Sequence, residues 1–408
     1  MENKTEPCNY QTITEIQDWG PAITRVIINL GMSIPPGSIT IDTFEVYVKI
    51  SDNRLDEPVI AEGTRTITRA FISDINGNPS TKAENYVVLE MEIGPEVRLS
   101  SPMNFNVKTN LNDWTQNEYK ITQIKDIKTE AGIVSGVVVD NFLGGVVHLV
   151  DEFTRGEVTY NDVTLTFAEF APKNVTEKKP LIIWLHGLGE GGTDATIPLS
   201  GNKAVNFASD KIQAYFGGAY VLMPQTPTYW MDGITGFCDG TSKYEDALIA
   251  LIKDYVSKNK EIDLNRVYVG GCSNGGYMTM LLIRDYPDYF AAAFPICEAL
   301  PDKLITDENI QKMKDVPTWF VTAANDPVLP VEDFTVPTYE RLVAAGAKNV
   351  QMTLFDNVID TSGLYKNEGK PYEYNGHWSW IYVYNNEVSK TIDGKEVTIM
   401  EWLANQSK

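Results

Sequence analysis

Apolar and polar residues alternate with a period of two over residues 24–30, 39–50, 64–72, 85–93 and 133–139. Such alternation predicts half-buried strands with one face on a core and one in solvent. No helical spacing interrupts these runs, and turn formers such as Pro35-Pro36-Gly37 and Asn76-Gly77-Asn78-Pro79 separate them. An antiparallel β-sandwich over residues 1–150 follows. Beyond residue 151 the pattern changes. Strand-like runs at 164–170, 181–185, 219–223, 290–296, 318–322 and 350–355 alternate with helical spacing at 244–258 and 339–347. Strands alternating with helices predict a mostly parallel sheet flanked by helices over residues 151–408.

Within the second region, the apolar run 267–269 leads into Gly271-Cys272-Ser273-Asn274-Gly275, and apolar residues resume at helical spacing from Tyr277. This is a strand, a sharp turn and a helix start. A serine can be thrust out of such a turn only where small neighbours remove the side chains that would collide. The helix N-terminus behind it offers free N–H groups to a developing oxyanion. Ser273 is therefore the candidate nucleophile.

Composition narrows the function. The chain has 408 residues, enough for two domains each with its own core, and 43% of them are hydrophobic. A formal net charge of -21 opposes binding to nucleic acid or to anionic membrane surfaces. Cys8, Cys238, Cys272 and Cys297 are too few and scattered for a disulfide framework or a zinc site, although a Cys238–Cys297 bridge stays open. Cys272 reads as a small core residue. The N-terminus, Met1-Glu-Asn-Lys-Thr-Glu, lacks a secretory pattern, and no run of about 18 apolar residues offers a membrane span. A soluble chain is expected, cytoplasmic as it stands, or secreted if a leader has been removed. Asp74, Asn76 and Asn78 have the opening spacing of a calcium loop, but Pro79 and Asn85 stand where its glycine and glutamate belong, so a turn is expected.

A serine hydroxyl needs a base, and the chain has three histidines. His148, in an apolar setting outside the α/β region, reads as packed. His186 ends the strand at 181–185 and opens His186-Gly187-Leu188-Gly189, which has the character of a loop donating an oxyanion N–H. His377 remains as the base. The acid should follow a strand between Ser273 and His377, and Asp326 directly follows the strand at 318–322. Asp333 is the reserve, with Asp302 behind it. The N–H groups of Leu188 and Asn274 complete the set as an oxyanion hole.

Leu185-His186-Gly187-Leu188-Gly189-Glu190-Gly191-Gly192, Gly270 to Thr279 around the serine, and Phe294-Pro295-Ile296-Cys297-Glu298 together resemble bacterial α/β-hydrolase esterases with an N-terminal immunoglobulin-like domain. These lie near the polyhydroxybutyrate-depolymerase-like branch. The resemblance implies an immunoglobulin-like sandwich followed by an α/β-hydrolase domain, hydrolysis of short to medium acyl esters, no cofactor, and Ser273, Asp326 and His377 as the triad. Polyester or feruloyl-type esterase activity is the nearest alternative. A serine peptidase of the same fold and a non-catalytic binding protein are the more distant ones.

The stretch between Asp326 and His377 exceeds what loop, helix, loop, strand and loop require by roughly 20 residues. The excess falls at 356–376 and holds Leu364, Tyr365, Tyr372 and Tyr374 among Gly363, Gly369, Pro371 and Gly376. A partial lid is expected there, with Trp230, Tyr365 and Tyr374 lining the substrate site.

Overall fold

The computed structural model describes residues 8–173, 175–233 and 238–408. The N-terminal stretch on which the reading of a leader rests lies outside them up to Pro7. The chain divides into two compact units, Met1–Asp151 and Glu152–Lys408.

The first unit is a two-sheet sandwich. One sheet runs in the order Phe142–Val147, Asn9–Gln17, Gly20–Ile34, Glu84–Met91, Ile67–Ser73; the other runs Val138–Val139, Gln116–Gln123, Phe44–Ser51, Val59–Arg65. Aliphatic side chains from both sheets, among them Val26, Ile28, Val46, Val48, Val87 and Ile121, form the core between them. The single strand expected over 64–72 is two, because the chain changes sheets at Thr66, between Arg65 and Ile67. Arg65 is buried at that corner, donating to the Tyr119 hydroxyl at 2.9 Å and to the carbonyls of Ile23 and Glu92. The strand Asn9–Gln17 escaped the hydrophobic pattern because three of its inward residues are Tyr10, Thr12 and Thr14. The expected run at 133–139 is broken into Gly132–Val134 and Val138–Val139 around Gly136, whose φ is 73°. His148 is exposed rather than packed. Asp74 closes a turn, its carboxylate accepting from the backbone of Asn76 and Asn78 at 2.9 Å.

The second unit is built on eight strands, which we label β1 Thr154–Tyr160, β2 Val163–Phe170, β3 Lys179–Leu185, β4 Tyr220–Gln225, β5 Ile262–Cys272, β6 Ala292–Ile296, β7 Thr318–Ala323 and β8 Val350–Phe355. Their spatial order is β1-β2-β4-β3-β5-β6-β7-β8, with β1, β2 and β4 joined antiparallel and every pairing from β4 through β3 to β8 parallel. Strands β3, β4, β6 and β7 are buried along their whole length, which is why they read as continuous apolar runs. The helix Glu245–Lys258 and the elbow helix Asn274–Asp285 pack on this sheet. Because β5, β6 and β7 are parallel, the turns that follow them emerge along one edge, which positions the site. The hairpin Ser389–Ile392 with Lys395–Thr398 and the helix Ile399–Ala404 complete the unit. No helix among the described residues is long and apolar enough to cross a membrane.

Candidate active site

Ser273 joins β5 to the helix Asn274–Asp285 with φ 54° and ψ -114°, a backbone conformation that a residue with a side chain rarely holds. Two glycines make the bend possible. A Cβ on Gly271 would lie 2.5 Å from the carbonyl oxygen of Gly275, and a Cβ on Gly275 would run into the carbonyl of Leu185 at the end of β3. Ser273 donates its backbone N–H to Ile296 at 2.9 Å, and it remains partly exposed between buried neighbours. Cys272 behind it is fully buried, as a small core residue should be, and burial raises its thiol pKa.

Asp326 and His377, 51 positions apart, meet through a 2.8 Å hydrogen bond from the Nδ1 of His377 to the Oδ2 of Asp326. Both are buried. Asp326 follows β7, and its second oxygen accepts the backbone N–H groups of Val328 at 2.8 Å and Leu329 at 3.0 Å, so the carboxylate is fixed before it orients the imidazole. His377 lies in the 3-10 turn Gly376–Trp378, and its backbone N–H is capped by the Asn375 side chain at 2.9 Å. Gly376 lets that turn approach β7's loop, since a Cβ there would stand 2.5 Å from the Asn325 carbonyl oxygen. The Trp380 ring meets the imidazole edge-on at 5.4 Å. Of the reserve acids, Asp302 is engaged with Thr338 and Arg341, and His377 pairs with neither it nor Asp333.

Cys297 ties the two halves together. It follows β6 with a positive φ of 34°, the Ser273 backbone hydrogen-bonds its thiol, and its ligand atom lies within 4.8 Å of those of Asp326 and His377. Burial holds the thiol well above its usual pKa, so it is neutral. These three residues have metal-ligand types, but the Asp326–His377 hydrogen bond makes the group a proton-holding pair. All four cysteines are free thiols, so no Cys238–Cys297 bridge forms.

The segments that carry Leu188 and Asn274 are held by His186 and Trp230. His186 is completely buried; desolvation drives its pKa down to about 4, which leaves the imidazole neutral. Its Nδ1 then donates to the Gly187 carbonyl at 2.6 Å, while Nε2 accepts the Thr226 backbone N–H at 3.2 Å. This fixes the turn that carries Leu188. Trp230, like Tyr374, is buried. It donates its indole N–H to the His186 carbonyl at 3.1 Å and its backbone N–H to the Asn274 side chain at 2.6 Å, cross-linking the two segments. Neither Trp230's bridging nor Cys297's position has a signal in sequence spacing. Glu298 was missed for the same reason. It is fully buried beside Gly276, accepts the Leu300 N–H at 2.7 Å, and desolvation raises its carboxyl to about 8.

The segment after β8 is an ordered double hairpin. Val358–Ile359 pairs with Glu373–Tyr374, and Lys366–Asn367 with Lys370–Pro371. The buried Asp360 carboxylate fastens it, accepting from the Ser362 hydroxyl and the Gly363 backbone. Tyr374 is buried, stacked on Trp378 with ring centroids 6.2 Å apart, and Tyr365 is partly exposed.

Residues 9–136 match the Esterase Ig-like N-terminal domain, and residues 230–300, spanning the elbow, match the prolyl oligopeptidase family. A solved thermostable esterase superposes with a TM-score of 0.78 at 27% identity, covering 98% of this chain and 100% of that one. Among curated proteins, a poly(3-hydroxyalkanoate) depolymerase C of Paucimonas lemoignei is 30% identical over 33% of this chain and 32% of its own length. A feruloyl esterase B of Neurospora crassa is 29% identical over 32% of this chain and 43% of its own length. The chain thus spans between about a third and somewhat under half of those relatives' length. Its two-unit architecture, an immunoglobulin-like domain before an α/β-hydrolase domain, is similar to that of the thermostable esterase.

Proposed function

We propose that the protein is a serine carboxylesterase acting on short to medium acyl esters. The observation that carries this reading is the buried 2.8 Å hydrogen bond between His377 and Asp326 on the sheet edge where the Ser273 elbow projects. Ser273 attacks the acyl carbon while Nε2 of His377 takes its proton. Asp326 keeps the other ring proton on Nδ1 and stabilises the imidazolium. The N–H groups of Leu188 and Asn274 receive the charge that develops on the carbonyl oxygen. His377 returns the proton to the departing alcohol, leaving an acyl-enzyme. Water, activated by the same histidine, releases the acid and restores Ser273.

The likeness to a feruloyl esterase and to polyester depolymerases supports an ester bond and leaves acyl and alcohol groups to measurement. The prolyl oligopeptidase match over 230–300 favours a second reading, an aminoacyl hydrolase with the same triad. Rates on p-nitrophenyl butyrate, methyl ferulate and an aminoacyl p-nitroanilide separate them. The ester reading expects kcat/KM on the butyrate to exceed that on the anilide by at least about a hundredfold, a difference of about 2.7 kcal/mol in transition-state binding. A faster anilide reverses the assignment.

A further inference from the structure

A cleft of about 900 Å³ opens within the N-terminal unit, lined by residues of that unit alone. A largely bare strand edge contributes to its lining. Gln116–Gln123 pairs with Phe44–Ser51 along its whole length, but on its other side only Ile121 and Thr122 have strand partners. The N–H of Tyr119 is instead satisfied by the hydroxyl of Tyr10 at 3.1 Å, and the Tyr119 hydroxyl accepts from buried Arg65 at 2.9 Å. Both rings belong to the buried core beneath the cleft, and their hydroxyls serve these internal hydrogen bonds.

The Tyr10 ring lies 6.1 Å from Tyr119 and 5.2 Å from Phe142, so the Phe142 ring is backed by two buried rings. Phe142 is half exposed, and Trp114 is a further aromatic residue of the lining. A preformed cleft with aromatic faces and a few polar groups has the form of a ligand site. Its charges cancel, Lys49 and Lys120 against Glu118 and Asp140, which selects against a charged ligand. The rest of its polar lining, including Thr115, Gln116 and Asn117, offers donors and acceptors together.

We propose that this cleft is a glycan-binding site that takes an uncharged polysaccharide chain. Sugar rings present an apolar face to aromatic rings and hydroxyls that both donate and accept. A polyester chain only accepts, and would leave the carboxylates and amide oxygens of the cleft desolvated without a donor. The site is separate from ester hydrolysis, and its test does not depend on which residue is the nucleophile.

The test is native affinity electrophoresis of the full chain in gels containing soluble arabinoxylan, mixed-linkage β-glucan or polygalacturonate, with pull-down on poly(3-hydroxybutyrate) granules beside it. Retardation by at least one neutral polysaccharide is expected, with affinity falling about tenfold in Trp114→Ala/Phe142→Ala, as loss of two aromatic contacts implies. The kcat/KM on p-nitrophenyl butyrate should stay at the wild-type value. If the double variant misfolds by thermal melt, Phe142→Ala alone, at a half-exposed position, carries the same comparison with a several-fold loss. Absence of retardation by both neutral glycans overturns the proposal. So does affinity unchanged in the variants, or cleft-dependent binding to polygalacturonate or polyester alone.

Discussion

Trp230 donates its indole N–H to the carbonyl of His186, 44 positions earlier in the chain, at 3.1 Å, and both residues are buried with ring centroids 5.1 Å apart. The backbone of Trp230 also holds the Asn274 side chain, so one residue sets the spacing between the two segments assigned to the oxyanion. Trp230→Phe keeps most of the ring volume and removes the indole donor. Stopped assays should show kcat lowered roughly tenfold with KM near the wild-type value, because a misplaced oxyanion donor weakens only the transition state. A change in KM alone would detach Trp230 from the chemistry.

Asp326→Asn should lower kcat by roughly 10³–10⁴ while the melting temperature stays within a few degrees, since the amide cannot hold the required His377 tautomer. Steady-state kinetics and calorimetry on one preparation check both halves. A loss of less than tenfold would pass the role to another acid, Asp333 first.

Glu298 links stability to pH. Its folded carboxyl is raised to about 8 against an ordinary 4.5, so the folded state keeps a proton that the unfolded chain loses. The stability this contributes is fully present below about 4.5 and is lost as pH rises through about 8. Glu298→Gln removes that slope. Denaturant melts should therefore show the variant gaining on the wild type between pH 5 and pH 8, by at most about 4 kcal/mol. His186 has the opposite sign: held neutral with a pKa of about 4, it favours folding above about 6.5 and withdraws that support as pH falls towards 4. A difference between variant and wild type that is flat in pH would contradict the assignment to Glu298.

The double hairpin after β8 leads into the turn that carries His377, and Asp360 fastens its base. Replacing 361–371 by a short glycine-serine link should shift the ratio of kcat/KM for p-nitrophenyl butyrate and octanoate several-fold, if the hairpin shapes the substrate site. An unchanged ratio in a folded variant would make it a surface excursion.

The division into a β-rich and an α/β region, the elbow at Ser273 and the Asp326–His377 pair were legible because each rests on local spacing. Strand periodicity marks the sheet, glycines mark the bend, and chain order selects the acid. Asn9–Gln17 was not legible, because its buried face is built from a tyrosine and threonines as well as Ile16, and the Tyr10 hydroxyl meets its partner only in the fold. The hydrogen bonds by which Trp230 joins His186 to Asn274 were not legible either, because each links residues 44 positions apart. Cys297 and Glu298 sit where β6 ends, and their closeness to the pair and to Gly276 comes from strand order, which spacing along the chain does not contain.

The measurement that tests the central claim most directly is intact-mass and peptide mass spectrometry after labelling with a fluorophosphonate, run beside the esterase assay. The wild type should gain one adduct on the peptide containing Ser273 and lose its activity in step with labelling. Ser273→Ala should take no adduct and retain less than about one per cent of wild-type kcat/KM, with its melting temperature intact, since the hydroxyl leaves a turn rather than a core. An adduct on any other residue, or an unlabelled Ser273 in active enzyme, would contradict the account.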